Sequence, residues 1–173
     1  MTGFPFRVES LGAQHDRTEF RCGEGALDQY FQTQVSQDIR RRVTNCFVAV
    51  EAVTGLVAAY YTISASSVPL TELPPDITKR LPRYPTVPAV LVGRLAVDEK
   101  FQARGLGAAL LSDAARRTVQ AAPAAFAILV NADDDRAVAF CQHHGFRPIA
   151  GHPRTLFLPV ATAERALFKQ TIG

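Results

Sequence analysis

Long apolar runs are missing from this 173-residue sequence. The longest, residues 121–130, has about half the length of a membrane-spanning helix and is interrupted by Pro123. The first ten residues contain no basic stretch followed by an apolar core, so they do not read as a secretory signal. We therefore expect a protein that makes no membrane contact and stays in the cytoplasm.

Cysteine is scarce as well. The three cysteines, Cys22, Cys46 and Cys141, are an odd number and lack the spacing of metal ligands. This pattern argues against a disulfide framework and against a cysteine-based zinc site, and we expect no bound metal. Disorder of the whole chain is excluded by the composition, since 47% of the residues are apolar and only 20% are charged.

Lysine is rare among the cationic residues. Of the 19 cations, three are lysines and 16 are arginines, and the net charge is +3. Arginine is the better bidentate partner for phosphate, so this bias suits a phosphate-rich ligand. The cations cluster at residues 40–42, 79–83 and 116–117. Solvated surface faces and a G+C-rich coding bias would give the same composition, so the arginines alone leave both explanations open.

Predicted strands and helices alternate along the chain. Residues 24–42 are predicted to form a helix, because Leu27, Phe31, Val35 and Ile39 recur at every fourth position. Further helices are predicted at residues 105–122, 134–144 and 162–169, and strands at residues 4–8, 47–50, 56–64, 89–97, 125–131, 146–149 and 156–160. With no linker and no repeat, residues 1–173 are predicted to form one α/β domain on a mixed sheet.

One segment is rich in proline. Residues 68–88 contain six prolines and are predicted to form a loop with a short helix at residues 75–81. A loop of this length between two strands is a candidate substrate lid or oligomer arm.

The sharpest local pattern lies at residues 97–111, where a strand is followed by a loop and two glycines open a helix. Gly105 and Gly107 let the backbone approach a ligand closely, and the start of the helix adds free N–H donors. Arg104 adds a full positive charge. The segment therefore predicts a phosphate or pyrophosphate site. It matches neither the P-loop nor the dinucleotide fingerprint, and a plain helix start with glycine for steric relief is the alternative.

The segment from Gln102 to Ala108 resembles the Gln/Arg-x-x-Gly-x-Gly/Ala motif of the GCN5-related N-acetyltransferases, the GNAT family. Residues 91–98 resemble the central strand of that family, and residues 137–146 resemble its late helix. The stretches 15–27 and 93–98 also resemble those of the toxin acetyltransferases of bacterial toxin–antitoxin pairs. The resemblance covers about residues 7–160.

This resemblance implies a single-domain GNAT-like fold, with a mixed central β-sheet whose two central strands splay apart and with helices on its faces. Acetyl-CoA, the co-substrate, would lie between the strands at residues 89–97 and 125–131. For Asn131, at the end of a strand, an ordinary capping role fits equally well. The cofactor-binding residues implied by the family are Leu95, Ala96, Val97, Gln102, Ala103, Arg104, Gly105, Leu106, Gly107, Ala108, Asn131 and Phe140.

The sequence departs from the family at one position. The family usually carries a tyrosine there, expected to protonate the leaving CoA thiolate, and here the residue is Cys141. The resemblance makes Cys141 the catalytic candidate, either as a poor acid or with a water in its place, and a small core cysteine is the alternative. Tyr60, Tyr61, His143 and His144 are further titratable candidates, and the two histidines also suit a capping role at the helix end.

The toxin subgroup implies a substrate and partners. It acetylates the α-amine of an amino acid esterified to tRNA, which blocks translation, so the expected partners are aminoacyl-tRNA and a cognate DNA-binding antitoxin. A homodimer is compatible with the proline-rich loop and the apolar tail. Two alternatives stay open: acetylation of a small amine or protein N-terminus, and a weakly active CoA-binding or RNA-binding module. The candidates for tRNA contact are Arg40, Arg41, Arg42 and Arg83.

Overall fold

The computed structural model describes residues 5–172, with side chains from residue 5 to residue 167. The strands are β1 (Phe6–Ser10), β2 (Asn45–Glu51), β3 (Val57–Pro69), β4 (Thr86–Val97), β5 (Ala127–Asn131), β6 (Arg147–Ile149) and β7 (His152–Pro159). The α-helices are α1 (Gly25–Gln29), α2 (Val35–Arg40), α3 (Pro75–Thr78), α4 (Leu106–Gln120), α5 (Asp135–His143) and α6 (Val160–Ile172).

The strands of the described residues form one seven-stranded sheet in the order β1-β2-β3-β4-β5-β7-β6. Antiparallel pairing joins β1 to β2, β2 to β3, β5 to β7 and β7 to β6, whereas β4 and β5 run parallel. The sheet is therefore mixed, and the predicted α/β fold is confirmed. Pairing between β4 and β5 covers Ala89–Val92 and Ala127–Val130, and β4 continues to Val97.

Contacts within the chain define two compact units. Unit 1 comprises residues 1–64 and 94–113, and unit 2 comprises residues 65–93 and 114–173. Strands β3 and β4 each contribute residues to both units. The assignment of residues 1–173 to one domain stays a prediction.

The core of unit 1 is built on the apolar stripe of the first helical segment. Phe31 and Val35 are fully buried, and Leu27 and Ile39 pack against the same cluster. The ring of Phe31 stacks on that of Tyr60, with ring centroids 4.1 Å apart. The four predicted stripe residues therefore contribute to the core as their spacing indicates.

The segment that carries this stripe is not the single α-helix predicted over residues 24–42. Between α1 and α2 the chain forms a π-helical turn at Tyr30–Gln34. An α-helix would rotate a strict four-residue repeat by about 40° at each step, and the wider π turn keeps the stripe on one side. The helix also ends at Arg40, and Arg42 adopts a left-handed conformation with φ of 61°.

The core of unit 2 includes the proline-rich segment. Strand β3 runs on to Pro69 and β4 begins at Thr86, so the predicted loop over residues 68–88 is shorter in the structure. Leu73 is buried in the core of this unit, and Ile77 packs against it. The predicted helix at residues 75–81 ends at Thr78. The apolar side chains of Leu73 and Ile77 therefore anchor this segment to the core of unit 2, and its role as a lid or oligomer arm stays a prediction.

The remaining elements agree with the predicted ones to within a few residues. Helix α5 begins after Asp134, whose side chain accepts a hydrogen bond from Ala137 N, and it is followed by Gly145 with φ of 92°. Gly145 thus adopts the left-handed conformation that favours glycine after a helix. No described helix combines the length and the apolar character that a membrane span requires.

Candidate functional site

The loop between β4 and α4 is anchored at its base by two polar side chains. The buried carboxylate of Asp98 accepts hydrogen bonds from the backbone N–H groups of Lys100 at 2.9 Å and Arg21 at 3.0 Å. The side-chain amide of Gln102 donates to the carbonyl oxygens of Cys22 and Val97, both at 3.0 Å. The side chain of Gln102 therefore holds the loop to the strand end, and the predicted binding of the cofactor by the backbone amide of Gln102 stays a prediction.

Beyond this base, the loop presents unpaired backbone donors. The N–H groups of residues 103–108 have no acceptor in the described part of the chain, and the first helical hydrogen bond of α4 runs from Ala109 N to Gly105 O at 3.1 Å. Ala103 and Gly105 have φ values of 64° and 79°, which turn the chain tightly. A Cβ atom on Gly105 would meet no protein atom within 4 Å. Clustered donors at a helix start, beside open space, suit a diphosphate.

Arg104, in the middle of this loop, is already paired. Its Nη1 atom lies 3.8 Å from Oε2 of Glu51, and its guanidinium lies 5.5 Å from the centre of the Phe101 ring. The other carboxylate oxygen of Glu51 accepts a hydrogen bond from the hydroxyl of Thr54. About half of the Arg104 side chain is exposed, so it can exchange Glu51 for a ligand at modest cost. Its predicted contact with the pyrophosphate stays a prediction.

The end of β4 leads into the loop. Ala96 is buried in the core of unit 1, whereas Leu95 and Val97 lie on the opposite face of the strand and are half-buried. The carbonyl oxygen of Val97 accepts the hydrogen bond from Gln102. The roles predicted for the backbone of Leu95 and Val97 in binding the pantetheine arm stay predictions.

In unit 2, Asn131 and Phe140 both contact neighbouring side chains. Asn131 ends β5, and its Oδ1 atom accepts a hydrogen bond from the hydroxyl of Thr155, its partner across the β5–β7 ladder, at 3.2 Å. This contact supports the alternative role of Asn131 at a strand end. The ring of Phe140 meets that of His144 edge to face, with centroids 4.7 Å apart.

Cys141 is buried in the last turn of α5, with 3% of its surface exposed. Burial raises the pKa of its thiol to about 11, so the thiol keeps its proton at neutral pH and is a weaker acid than an ordinary cysteine. Its carbonyl oxygen accepts from the N–H groups of His144 and Phe146. Burial, together with the charge of the neighbouring His143, lowers the pKa of His144 and so disfavours its cationic form.

The four arginines predicted to contact tRNA are all exposed. Arg40, Arg41 and Arg42 follow one another at the end of α2 in unit 1, and Arg83 lies in unit 2 beside the exposed Tyr84. None of the four forms an ion pair within residues 5–167. The structure thus brings the first three together and leaves their charges available.

Sequence reasoning missed two polar pairs in unit 1. The hydroxyl of the buried Tyr61 donates to Oδ2 of the buried Asp113, on α4, at 2.6 Å. The guanidinium carbon of Arg94, on β4, lies 3.5 Å from the centre of the Tyr30 ring. In both cases the sequence signal for a polar pair was a charged residue at an apolar position. Asp113 adjoins the buried face of α4, and Arg94 shares a strand face with the buried Ala96.

The described residues contain no group of three or more histidine, cysteine or carboxylate side chains arranged to hold a metal ion.

Known proteins resemble the chain along most of its length. Residues 88–155 match the family model described as an acetyltransferase (GNAT) domain. A relative named tRNA-acetylating toxin, from Mycobacterium tuberculosis (strain ATCC 25618 / H37Rv), is 38% identical over 154 residues, which cover 88% of this chain and 90% of the relative.

Two solved structures of a protein named AtaT are similar in fold and in sequence. AtaT complexed with acetyl-methionyl-tRNAfMet has a TM-score of 0.85 and 28% identity and covers 94% of this chain and 99% of the other. A tyrosine-to-phenylalanine variant of AtaT, bound to the C-terminus of the antitoxin AtaR and to acetyl-CoA, has a TM-score of 0.80 and 25% identity and covers 95% and 99%.

Proposed function

Because this chain belongs to the GNAT family of acetyltransferases, we propose that it transfers the acetyl group of acetyl-CoA to the α-amine of an amino acid esterified to tRNA. The acetylated amine can no longer form a peptide bond, so the product blocks translation and the protein acts as a toxin. The observation that carries the proposal is the 38% identity, over 88% of the chain, to a tRNA-acetylating toxin.

The loop of residues 103–108 fits the diphosphate of acetyl-CoA. Its N–H groups are unpaired within the described chain, and the space beside Gly105 is open. We assign the pyrophosphate to these donors, with Arg104 exchanging its contact with Glu51 for a phosphate. The AtaT structure that contains acetyl-CoA supports this co-substrate. When bound, acetyl-CoA supplies the thioester carbon that the amine attacks.

The acceptor amine needs no dedicated base on the protein. A free α-amine has a reference pKa of about 7.7, and esterification of the carboxyl group lowers it further by electron withdrawal. Much of the amine is then neutral at pH 7, so water accepts the proton that it loses. The remaining task of the protein is to hold the amine and the thioester in reacting geometry, which is worth several orders of magnitude in rate.

Cys141 is the proposed acid for the departing thiolate, and its burial makes it a poor one. Its pKa, raised to about 11, lies above the roughly 8.5 of an ordinary thiol, so proton transfer from Cys141 to a thiolate is uphill. A well-matched general acid contributes about 10²–10⁴-fold, and most of that gain is forgone here. We therefore attribute the rate mainly to positioning and to backbone donors.

The partners follow from the same surfaces. Arg40, Arg41, Arg42 and Arg83 offer exposed charges to tRNA phosphates. A cognate DNA-binding antitoxin would silence the protein by covering its site, and the AtaT complex with the C-terminus of AtaR supports an antitoxin partner. We place the protein in the cytoplasm, where charged tRNA and acetyl-CoA are present.

The decisive experiment follows the mass of charged tRNA. Purified protein is incubated with acetyl-CoA and aminoacyl-tRNA. The mass of the aminoacyl-adenosine released by nuclease is then measured by mass spectrometry. We expect the gain of one acetyl group, and none with uncharged tRNA or free amino acid. Equal acetylation of small amines or protein N-termini would favour another acetyltransferase. Acetyl-CoA binding without any transfer would favour a binding module.

A further inference from the structure

Arg94 is a half-buried cation without a polar partner. It lies on β4, and its guanidinium forms no hydrogen bond or ion pair in the described part of the chain. A guanidinium carries five N–H donors, and no fully buried side-chain nitrogen or oxygen of the described residues lacks a partner, so the unpaired donors of Arg94 reach solvent. The guanidinium carbon lies 3.5 Å from the centre of the Tyr30 ring. The donors of Arg94 are therefore free for a ligand.

The Tyr30 ring is held rigidly beneath Arg94. Tyr30 is buried, and its hydroxyl donates to Oδ2 of Asp38 at 2.8 Å. The side-chain amide of Gln34 donates to the other oxygen of the same carboxylate at 3.2 Å. Because the ring cannot turn away, the guanidinium is pre-organised and loses little conformational freedom when it binds.

Positive charge is in excess around this pair. Hydrogen bonds from Tyr30 and Gln34 lower the pKa of Asp38, and the charges of Arg94 and Arg41 lower it further. Asp38 thus lies within electrostatic reach of both Arg94 and Arg41. Together with the exposed Arg40 and Arg42 at the end of the same helix, these charges favour an anionic ligand.

We propose that Arg94, supported by the Tyr30 ring, binds a phosphodiester of the tRNA acceptor and extends the phosphate-binding surface that begins at Arg40–Arg42. The inference rests on the proposed function and deepens it by naming a substrate-binding residue. The tRNA is the source of the phosphate because Arg94 lies over the Tyr30 ring, whose hydroxyl is bonded to Asp38 on α2, the helix that ends at Arg40. The diphosphate of acetyl-CoA has its own donors at residues 103–108.

The test compares two variants that remove the charge of Arg94 with a control variant that removes one arginine charge at another exposed position. Arg94→Gln removes the charge, and Arg94→Met removes it while keeping an apolar stem against Tyr30 in case the first variant does not fold. Arg7→Gln is the control, because Arg7 is exposed and already paired with Glu9. Binding of uncharged tRNA is measured by fluorescence anisotropy across a salt series, and binding of acetyl-CoA by calorimetry.

We expect both Arg94 variants to bind tRNA about tenfold more weakly, the loss of one charge-assisted contact. The log–log salt slope should fall by about 0.7–0.9, and acetyl-CoA affinity should stay at the wild-type value. In turnover assays KM for charged tRNA should rise with kcat little changed. With an aminoacyl-nucleoside that carries no phosphate, the variants should match the wild type.

Two results would overturn the proposal. One is tRNA affinity and a salt slope equal to those of Arg7→Gln, and the other is a loss of acetyl-CoA affinity with tRNA binding unchanged. The titrations with uncharged tRNA measure binding without acetyl transfer, so their outcome does not depend on the proposed function. If the wild type fails to acetylate charged tRNA but Arg94→Gln weakens tRNA binding as expected, only the proposed function fails.

Discussion

The loop of residues 98–108 and the end of α5 around Cys141 differ in whether their polar groups are paired within the protein. In the loop, consecutive N–H groups have no acceptor in the described chain, and Gly105 adjoins open space. At Cys141 the thiol is 3% exposed, and the carbonyl oxygen is satisfied by His144 and Phe146. The loop thus leaves backbone donors unpaired within the described chain, where a ligand could bind them. The end of α5 pairs its polar groups within the fold.

This difference separates binding from proton transfer. Backbone donors fixed by folding need no reorganisation when a ligand arrives, so they bind and orient at low cost. A buried thiol with a raised pKa gives up its proton reluctantly. We therefore expect that positioning by backbone donors, rather than an acid at Cys141, carries the acetyl transfer.

The largest effect is expected at Gly105. Gly105→Leu fills the open space beside the donors and should weaken acetyl-CoA binding by about 10–100-fold, because the side chain would occupy the place that we propose for the diphosphate. Gly55→Leu is a matched control, since Gly55 also has a positive φ, of 74°, and open space around its Cβ. Calorimetry on both variants separates backbone strain from ligand exclusion. Equal affinity in the two variants would mean that the loop is an ordinary helix start.

The next effect concerns Cys141 itself. Cys141→Tyr would supply a phenol with longer reach, and we expect turnover on charged tRNA to rise by up to about 10²-fold, the low end of general-acid effects. Acetyl-CoA affinity should hardly change, because the group acts mainly in the transition state. A variant that loses about 1–3 kcal/mol of stability, by thermal melting, with no gain in turnover would identify Cys141 as a packing residue.

The third prediction concerns unpaired donors outside the loop, the side chains of the exposed arginines at the end of α2. Replacing Arg40, Arg41 and Arg42 together by alanine should lower the log–log salt slope of tRNA binding by about 2–3, roughly 0.7–0.9 for each lost phosphate contact. The control replaces Arg7, Arg154 and Arg165, which are also exposed. Anisotropy titrations measure both triple variants. Identical slopes would reduce the cluster to a solvated helix end.

The smallest expected effect is a pH dependence of the free energy of unfolding that arises from the buried thiols. Burial raises the pKa of Cys46 from 9.0 to about 12 and that of Cys141 to about 11. Since the folded-state pKa lies above the unfolded one, the stability due to the neutral thiol is complete below pH 9 and is lost as the pH rises further. We expect the free energy of unfolding to fall by about 1 kcal/mol per pH unit for each thiol.

Chemical denaturation at pH 8, 9 and 10 measures this loss, with Cys46→Ala as the control for one thiol. The variant should be somewhat less stable at pH 8 but should show a shallower decline. A decline as steep as that of the wild type would contradict the assignment of the pH dependence to Cys46.

Local pattern was enough to predict most of the fold and the position of the loop. The repeat of Leu27, Phe31, Val35 and Ile39 predicts a buried helix face because spacing alone sets which side chains share a side. The π turn at Tyr30–Gln34 was not predicted, although a strict four-residue repeat is a signal for it. The left-handed φ of Ala103 had no signal in the residue type, since alanine rarely adopts that conformation.

Contacts between residues far apart in sequence could not be predicted. Arg104 meets Glu51, and Arg94 meets Tyr30, only because the sheet brings their strands and helices together. The tie from Gln102 to Cys22 spans 80 residues. Residue types at those positions restrict the chemistry, but the pairing depends on tertiary packing.

The turnover ratio of the wild type to Cys141→Ala, on saturating charged tRNA and acetyl-CoA, measures directly how much Cys141 contributes to the transfer. Alanine removes the thiol proton and leaves only a small space in α5, so folding is checked by the same protein's melting temperature. If positioning carries the transfer, the ratio should stay below about ten. A ratio of about 10² or more, in a folded variant that binds acetyl-CoA normally, would contradict the claim and make Cys141 the working acid.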